Sequence, residues 1–123
     1  MTKFLKNNKE VFIIAEVGQN HQGKILNAIK YVKIFSNMGA DAIKFQMRTN
    51  KILFSEDAYN AEYNSENAFA KTYGEHREKL ELTLSEFKLI KKECKNNGVK
   101  FIATPFDEES VDKLCKAGVD ILK

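Results

Sequence analysis

The side chains in this sequence that could do chemistry are polar residues set inside, or at the end of, short apolar runs. Lys44 and Gln46 interrupt Ala42-Ile43-Lys44-Phe45-Gln46, and Glu16 follows Val11-Phe12-Ile13-Ile14-Ala15. Thr104 closes Phe101-Ile102-Ala103-Thr104, and Lys123 closes Val119-Asp120-Ile121-Leu122-Lys123. Together they offer a carboxylate, a pair of ammonium groups, an amide and a hydroxyl. Lysines on an enclosed surface want an anion, because an unpaired buried ammonium gives up its charge. A small phosphorylated or carboxylated molecule would satisfy both, with Glu16 pairing a lysine in the empty site or contacting the neutral part of a substrate. Plainer readings stand beside these. Lys44 could guard a sheet edge, Glu16 could be a structural partner or cap, and Thr104 before Pro105 could be a strand terminus. Lys123 gains weight only because Gly118 to Lys123 echoes Gly39 to Lys44.

The elements that must position these residues alternate along the chain. The four apolar runs read as strands. Between them, Ile25 to Met38 (Ile25, Ala28, Ile29, Val32, Phe35, Met38), Leu84 to Cys94 (Leu84, Phe87, Ile90, Cys94) and Glu108 to Lys116 (Val111, Leu114, Cys115) keep helical spacing. Thr83 or Ser85 can cap the middle helix, and glycines at 39, 98 and 118 follow the three helices. The stretch from Asn50 to Thr83 is polar and weakly periodic, and a connection that long is usually functional. Alternating strands and helices imply a parallel sheet, either doubly wound or closed as a barrel. The first turn, Gly18-Gln19-Asn20-His21-Gln22-Gly23, is no dinucleotide fingerprint, and no phosphate loop of the GxxxxGK[ST] type occurs. The expected fold class is therefore α/β, the N-terminal portion of a (β/α)8 barrel from its first strand to the start of its fourth. Because side chains alternate along a strand, Ile43 and Phe45 face the helices while Lys44 and Gln46 face the barrel interior. Glu16, Thr104 and Lys123 fall at C-terminal strand ends, the face where such barrels carry their chemistry.

Composition bounds the rest. With 43% hydrophobic and 30% charged residues in 123, the chain can build a core and is not of disordered type. A net charge of +3, with basic residues dispersed, argues against nucleic acid or a membrane surface as partner. The Lys-rich start, Met1 to Lys9, is not followed by a signal-peptide run. Cys94 and Cys115 form no framework, which suits a reducing, cytoplasmic setting, and both read as core residues. Asn20-His21 reads as turn chemistry. With His76 as the other histidine, no His-rich metal site can be built from this chain alone.

Four segments in order, Phe12 to Gly23, Gly39 to Gln46, Lys71 to His76 and Ala103 to Phe106, resemble the N-acetylneuraminate (sialic acid) synthase family, including the legionaminate and pseudaminate synthases. The resemblance covers nearly the whole chain and implies a phosphoenolpyruvate-dependent condensing enzyme on a (β/α)8 barrel. Its members join phosphoenolpyruvate to an open-chain N-acetylated amino sugar, such as N-acetylmannosamine, to give a nonulosonate and inorganic phosphate. By resemblance, Lys44, Thr104 and Lys123 hold the phosphate and carboxylate of phosphoenolpyruvate. Gln46 lies near the sugar and the reacting carbons, and Glu16 faces the sugar and a metal-bound water. Glu16, Lys44 and Gln46 are thus the catalytic candidates, and Lys44, Gln46, Thr104 and Lys123 the substrate-binding ones. Tyr73 to Arg77 matches without an assigned step. The resemblance further implies a divalent metal, manganese or magnesium, with no ligand on this chain, and a homodimer of the full-length protein.

A (β/α)8 barrel needs about 250 residues. Residues 1–123 are accordingly expected to be a partial synthase barrel domain, inactive alone. The remaining strands and the family's small C-terminal antifreeze-like domain are absent from this sequence. Two other readings stay open: a Schiff-base aldolase using Lys44 or Lys123 on the same barrel, or a non-catalytic half-barrel that associates with another chain.

Overall fold

The computed structural model describes residues 11–123; the Lys-rich Met1 to Lys9 start lies outside the described residues. In chain order the elements are β1 (Ile14–Gly18), α1 (Ile25–Asn37), β2 (Ala42–Met47), α2 (Asn50–Leu53), α3 (Glu56–Asn60), α4 (Tyr73–Glu78), α5 (Leu84–Asn96), β3 (Lys100–Pro105), α6 (Glu108–Ala117) and β4 (Ile121–Leu122). The strands form one sheet in the order β1-β2-β3-β4, every pair parallel. Sequential order is the winding of a barrel wall, whereas a doubly wound sheet reverses its order partway.

The core lies on one face of this sheet. Ile43, Phe45, Phe101 and Ala103 point from the strands into a layer completed by Ala28 and Val32 of α1, Phe87, Ile90 and Cys94 of α5, and Leu114 and Ala117 of α6. Phe101 sits between two rings, edge-on to Phe45 and stacked on Phe87. Helices α3 to α6 begin where a side chain accepts a free N–H group of the first turn, whereas α1 and α2 have no such cap. Thr83 and Glu86 form a reciprocal capping box on α5, and Asp107 caps α6. Three apolar positions leave the expected pattern: Met38 lies past the end of α1, and Val111 and Cys115 are exposed on α6. Ser110 takes the inward place instead, its hydroxyl satisfied by Asp107.

β1 starts three residues later than the apolar run, because Ile13 is engaged before the ladder begins. The Ile13 N–H donates to Asp41 Oδ2 at 2.7 Å, and the Ile13 carbonyl accepts from Asp41 N at 2.9 Å. The same clamp recurs at the other edge, where Phe101 N donates to Asp120 Oδ2 at 2.8 Å and the Phe101 carbonyl accepts from Asp120 N at 2.9 Å. Gly39-Ala40-Asp41 and Gly118-Val119-Asp120 are thus one structural device used twice. Burial works to raise the Asp120 carboxyl, but hydrogen bonds from Lys91 and the Phe101 N–H outweigh it and hold it below its usual range.

The Asn50 to Thr83 connection is structured. It holds α2, α3, α4 and an antiparallel bridge between Glu62 and Thr72, around an aromatic cluster of Tyr63, Phe69, Tyr73 and His76. The β1–α1 turn packs on this segment through Gly23, whose φ of +67° suits glycine and where a Cβ would overlap the Lys79 carbonyl oxygen.

Asp41→Ala or Asp120→Ala, each removing charged hydrogen bonds to backbone, is expected to lower stability by about 1.5–3 kcal/mol. The Asn variants, which keep an acceptor oxygen, should lose much less. Urea midpoints of the intact protein check this, and equal losses for Ala and Asn at either position would show that the clamp does not act through its acceptor.

Candidate functional site

On the sheet face away from the helices, parallel register builds polar rows. Glu16 stands opposite Lys44, and Gln46 opposite Thr104. Lys44 Nζ lies 2.5 Å from Glu16 Oε2; the lysine side chain is 17% exposed and the carboxylate 47%. Glu16 is not at the end of β1 but its third residue, and the strand then loses register with β2 between Glu16 and Gly18. The irregularity places Gly18, at φ +57°, beneath two functional groups. A Cβ there would stand 3.4 Å from Gln46 Nε2 and 3.7 Å from Glu16 Oε1. Gly18 therefore keeps open the place where the amide and the carboxylate converge.

Lys123 follows β4, and its N–H donates to the Ala103 carbonyl at 3.0 Å. That continues the Ala103 to Leu122 register toward Thr104, with the lysine itself exposed. Four of the five expected residues are thus adjacent on one face through β1, β2 and β3, and Lys123 extends the row at the β4 edge.

A second polar network, not anticipated from the sequence, borders this face. Arg48 Nη2 donates to Gln46 Oε1 at 2.7 Å, and the Arg48 guanidinium lies 3.8 Å over the Phe106 ring. Glu81 holds the arginine, accepting from the Arg48 backbone N–H at 3.1 Å, with Nη1 4.0 Å from its other oxygen. Gln19 Nε2 in turn donates to Glu81 Oε1 at 2.5 Å. Both charged side chains are nearly enclosed, 10% exposed for Arg48 and 12% for Glu81. Two signals were present in the sequence. Arg48 continues the every-second-residue pattern of Lys44 and Gln46 past the strand end, and Glu81 is a carboxylate between two buried leucines, Leu80 and Leu82.

The histidines belong elsewhere. His21 is buried against Phe45, and its Nδ1 accepts from Gly23 N at 3.1 Å, which closes the turn. His76 Nδ1 accepts from Phe69 N at 3.2 Å within the aromatic cluster. Among the described residues no three His, Cys, Asp or Glu side chains are grouped to hold a metal. The donor set of the described residues does not form a metal centre by itself.

Two buried groups pull stability in opposite directions with pH. Burial raises the Glu81 carboxyl from 4.5 to about 7 against the pull of Arg48, Arg77 and Gln19. Burial likewise drives His21 from 6.5 down to about 4, with Glu86 opposing. The folded state keeps Glu81's proton longer than the unfolded chain, so its contribution is full below about pH 4.5 and is lost as pH rises through about 7. Neutral His21 is the reverse, with its contribution full above pH 6.5 and lost as pH falls toward 4.

Comparison with known proteins places this geometry. The profile of the NeuB family matches residues 31–123. The chain is 38% identical over 113 residues to an N-acetylneuraminate-9-phosphate synthase of Drosophila melanogaster, covering 92% of this chain and 30% of that protein. It is also 38% identical over 113 residues to an N,N'-diacetyllegionaminic acid synthase of Legionella pneumophila, covering 91% and 32%. The crystal structure of N-acetylneuraminic acid (sialic acid) synthetase from Leptospira borgpetersenii, in complex with citrate, superposes with a TM-score of 0.73 at 31% identity, over 94% of this chain and 36% of that one. The chain thus spans about a third of the length of the curated relatives it matches, and its four-stranded parallel sheet is a partial barrel of that kind.

Glu81→Gln, relative to wild type, should remove the loss of stability on going from pH 4.5 to 7, and His21→Asn should remove the loss from pH 6.5 to 4. Each difference curve has a slope bounded by the one-proton limit of about 1.4 kcal/mol per pH unit. Melting temperature against pH reads both, and parallel curves for wild type and variants would overturn the assignment.

Proposed function

The chain belongs to the NeuB family, and on that premise we propose that it supplies the phosphoenolpyruvate-binding portion of a sialic-acid-type synthase. The full-length enzyme would condense phosphoenolpyruvate with an N-acetylated amino sugar. In the overall reaction, a bond forms between C3 of phosphoenolpyruvate and the sugar's aldehyde carbon, water adds at C2, and inorganic phosphate leaves. The products are a nonulosonate and phosphate. The observation that carries this reading is the Lys44–Glu16 pair beside Gln46 and Thr104 on the polar face of the sheet.

With no substrate bound, Glu16 neutralises Lys44. An arriving phosphate or carboxylate offers Lys44 a second anionic partner, and the exchange frees Glu16 to accept a hydrogen bond from the sugar. Thr104 and Lys123 would complete the anion contacts from β3 and the β4 edge. Gln46, above Gly18, would meet the acceptor or the reacting carbons. A divalent metal, manganese or magnesium, is part of the proposal as a group held by residues outside this chain, where it would polarise the aldehyde. So are the remaining barrel strands, the antifreeze-like domain, a homodimeric full-length protein and a cytoplasmic setting. No helix among the described residues is long and apolar enough to cross a membrane. The Schiff-base alternative needs a free amine; Lys44 is engaged by a carboxylate, which leaves the exposed Lys123 as its candidate.

Full-length protein supplied with phosphoenolpyruvate, metal and N-acetylmannosamine or its 6-phosphate is expected to release phosphate. Lys44→Ala should lower kcat/KM by about 10²-fold or more, as expected for a charged contact worth about 3 kcal/mol. Wild-type turnover by that variant would overturn the anion site, and borohydride trapping of a carbonyl substrate on Lys44 would replace the reading with an aldolase.

A further inference from the structure

We propose that Arg48 is a positioning residue that locks the Gln46 side-chain amide, so that position 46 presents its NH2 group, a hydrogen-bond donor, to the substrate. This rests on the synthase reading for what the substrate is, but not for the locking itself.

The two ends of a glutamine amide are nearly the same size, so its neighbours decide which end points where. Here the neighbour is a guanidinium, which has five donors and no acceptor. The 2.7 Å contact from Arg48 Nη2 therefore demands the carbonyl oxygen of Gln46. A flipped amide would set N–H against N–H in a nearly enclosed place. The NH2 group is left on the opposite side, above Gly18 and toward Glu16, where a Cβ on Gly18 would stand 3.4 Å from Nε2.

Arg48 is itself held on several sides. Its backbone N–H is fixed by Glu81, its guanidinium lies against Phe106, and Glu81 is braced by Gln19. Of its donors, the enclosed Nη1 has no hydrogen-bond partner among the described residues, so the Gln46 contact carries much of the guanidinium's satisfaction. The near-complete enclosure of Arg48 and the Phe106 ring beneath it limit how far the guanidinium can swing. The amide must adapt to it.

The consequence is polarity at the site. Next to the carboxylate of Glu16, an acceptor, the enzyme presents a fixed donor. A substrate atom that meets Gln46 must accept a hydrogen bond, as a carboxylate, phosphate or amide-carbonyl oxygen does.

The test uses the full-length protein, with Arg48→Met keeping bulk against Phe106 and Arg48→Lys keeping a donor. The 15N–1H2 pair of Gln46, assigned by its disappearance in Gln46→Ala, is followed by heteronuclear NOE. Wild type is expected to show a rigid side-chain amide, Arg48→Met a mobile one, and Arg48→Lys an intermediate. An unchanged NOE in Arg48→Met overturns the proposal, and this readout stands even if the protein proves to have no synthase activity. In phosphate release, Arg48→Met should cost about tenfold or more in kcat/KM, the usual scale for losing a residue that orients another. In a Gln46→Ala background the same change should cost less than about twofold, since coupled positions are not additive. Equal losses in both backgrounds would mean that Arg48 acts by another route. Should Arg48→Met fail to fold, Arg48→Lys in the same cycle decides between the same outcomes.

Discussion

The two-point hydrogen bonding of Asp41 to Ile13, and of Asp120 to Phe101, sets the register on which the rest of the sheet depends. Side chains in a strand alternate faces, so a slip of one residue would exchange every inward and outward position of that strand. With β2 slipped, Lys44 and Gln46 would enter the layer of Phe87, Ile90 and Phe101, and Ile43 and Phe45 would leave it. The clamps fix the alignment at the strand starts. From there Glu16 meets Lys44, and Gln46 meets Thr104 through the β2–β3 ladder, at whose start Lys100 N donates to the Asp41 carbonyl at 2.9 Å.

The polar face that results is costly to build and is arranged to limit that cost. Lys44 is mostly enclosed yet paired, and Arg48 and Glu81 are more enclosed still. Enclosed charges persist when each has a partner or a hydrogen bond. Glu81 shows how fine the balance is, because burial overcomes two arginines and a glutamine to push its carboxyl up to about 7. The apolar layer beyond the sheet, with Phe101 set between Phe45 and Phe87, provides the rigid backing that holds these groups in place.

Much of this was legible in the sequence, for a definite reason. Period-two patterning in Ala42 to Gln46 assigns faces residue by residue, and the glycines after each helix mark where strands begin. What stayed hidden depends on contacts distant in sequence. Glu81 shows in the sequence only as a carboxylate between Leu80 and Leu82, and its partners Gln19 and Arg48 are brought to it by the fold. The helices between Asn50 and Thr83 are too short to show a period, being four to six residues each. Cys115 and Val111 satisfy helical spacing but face outward, since Ser110, tied to Asp107, takes the inward place. The start of β1 was misplaced because the aspartate engaging Ile13 lies 28 residues away.

The repeated aspartate clamp also divides the molecule in a way the sheet conceals. Each clamp lies within one half of the sheet, spanning 28 residues in β1-α1-β2 and 19 in β3-α6-β4. The tie from Thr49 N to Asp107 that helps join the two halves spans 58. Register is thus secured within each half, and the halves meet through the six-pair β2–β3 ladder and the Thr49–Asp107 tie. Glu16 and Lys44 belong to one piece, and Thr104 and Lys123 to the other. Loosening of that seam would part Gln46 from Thr104 while leaving the Glu16–Lys44 pair closed. The anion proposed for this face would bridge Lys44 of one half and Thr104 of the other, and so draw the two halves together.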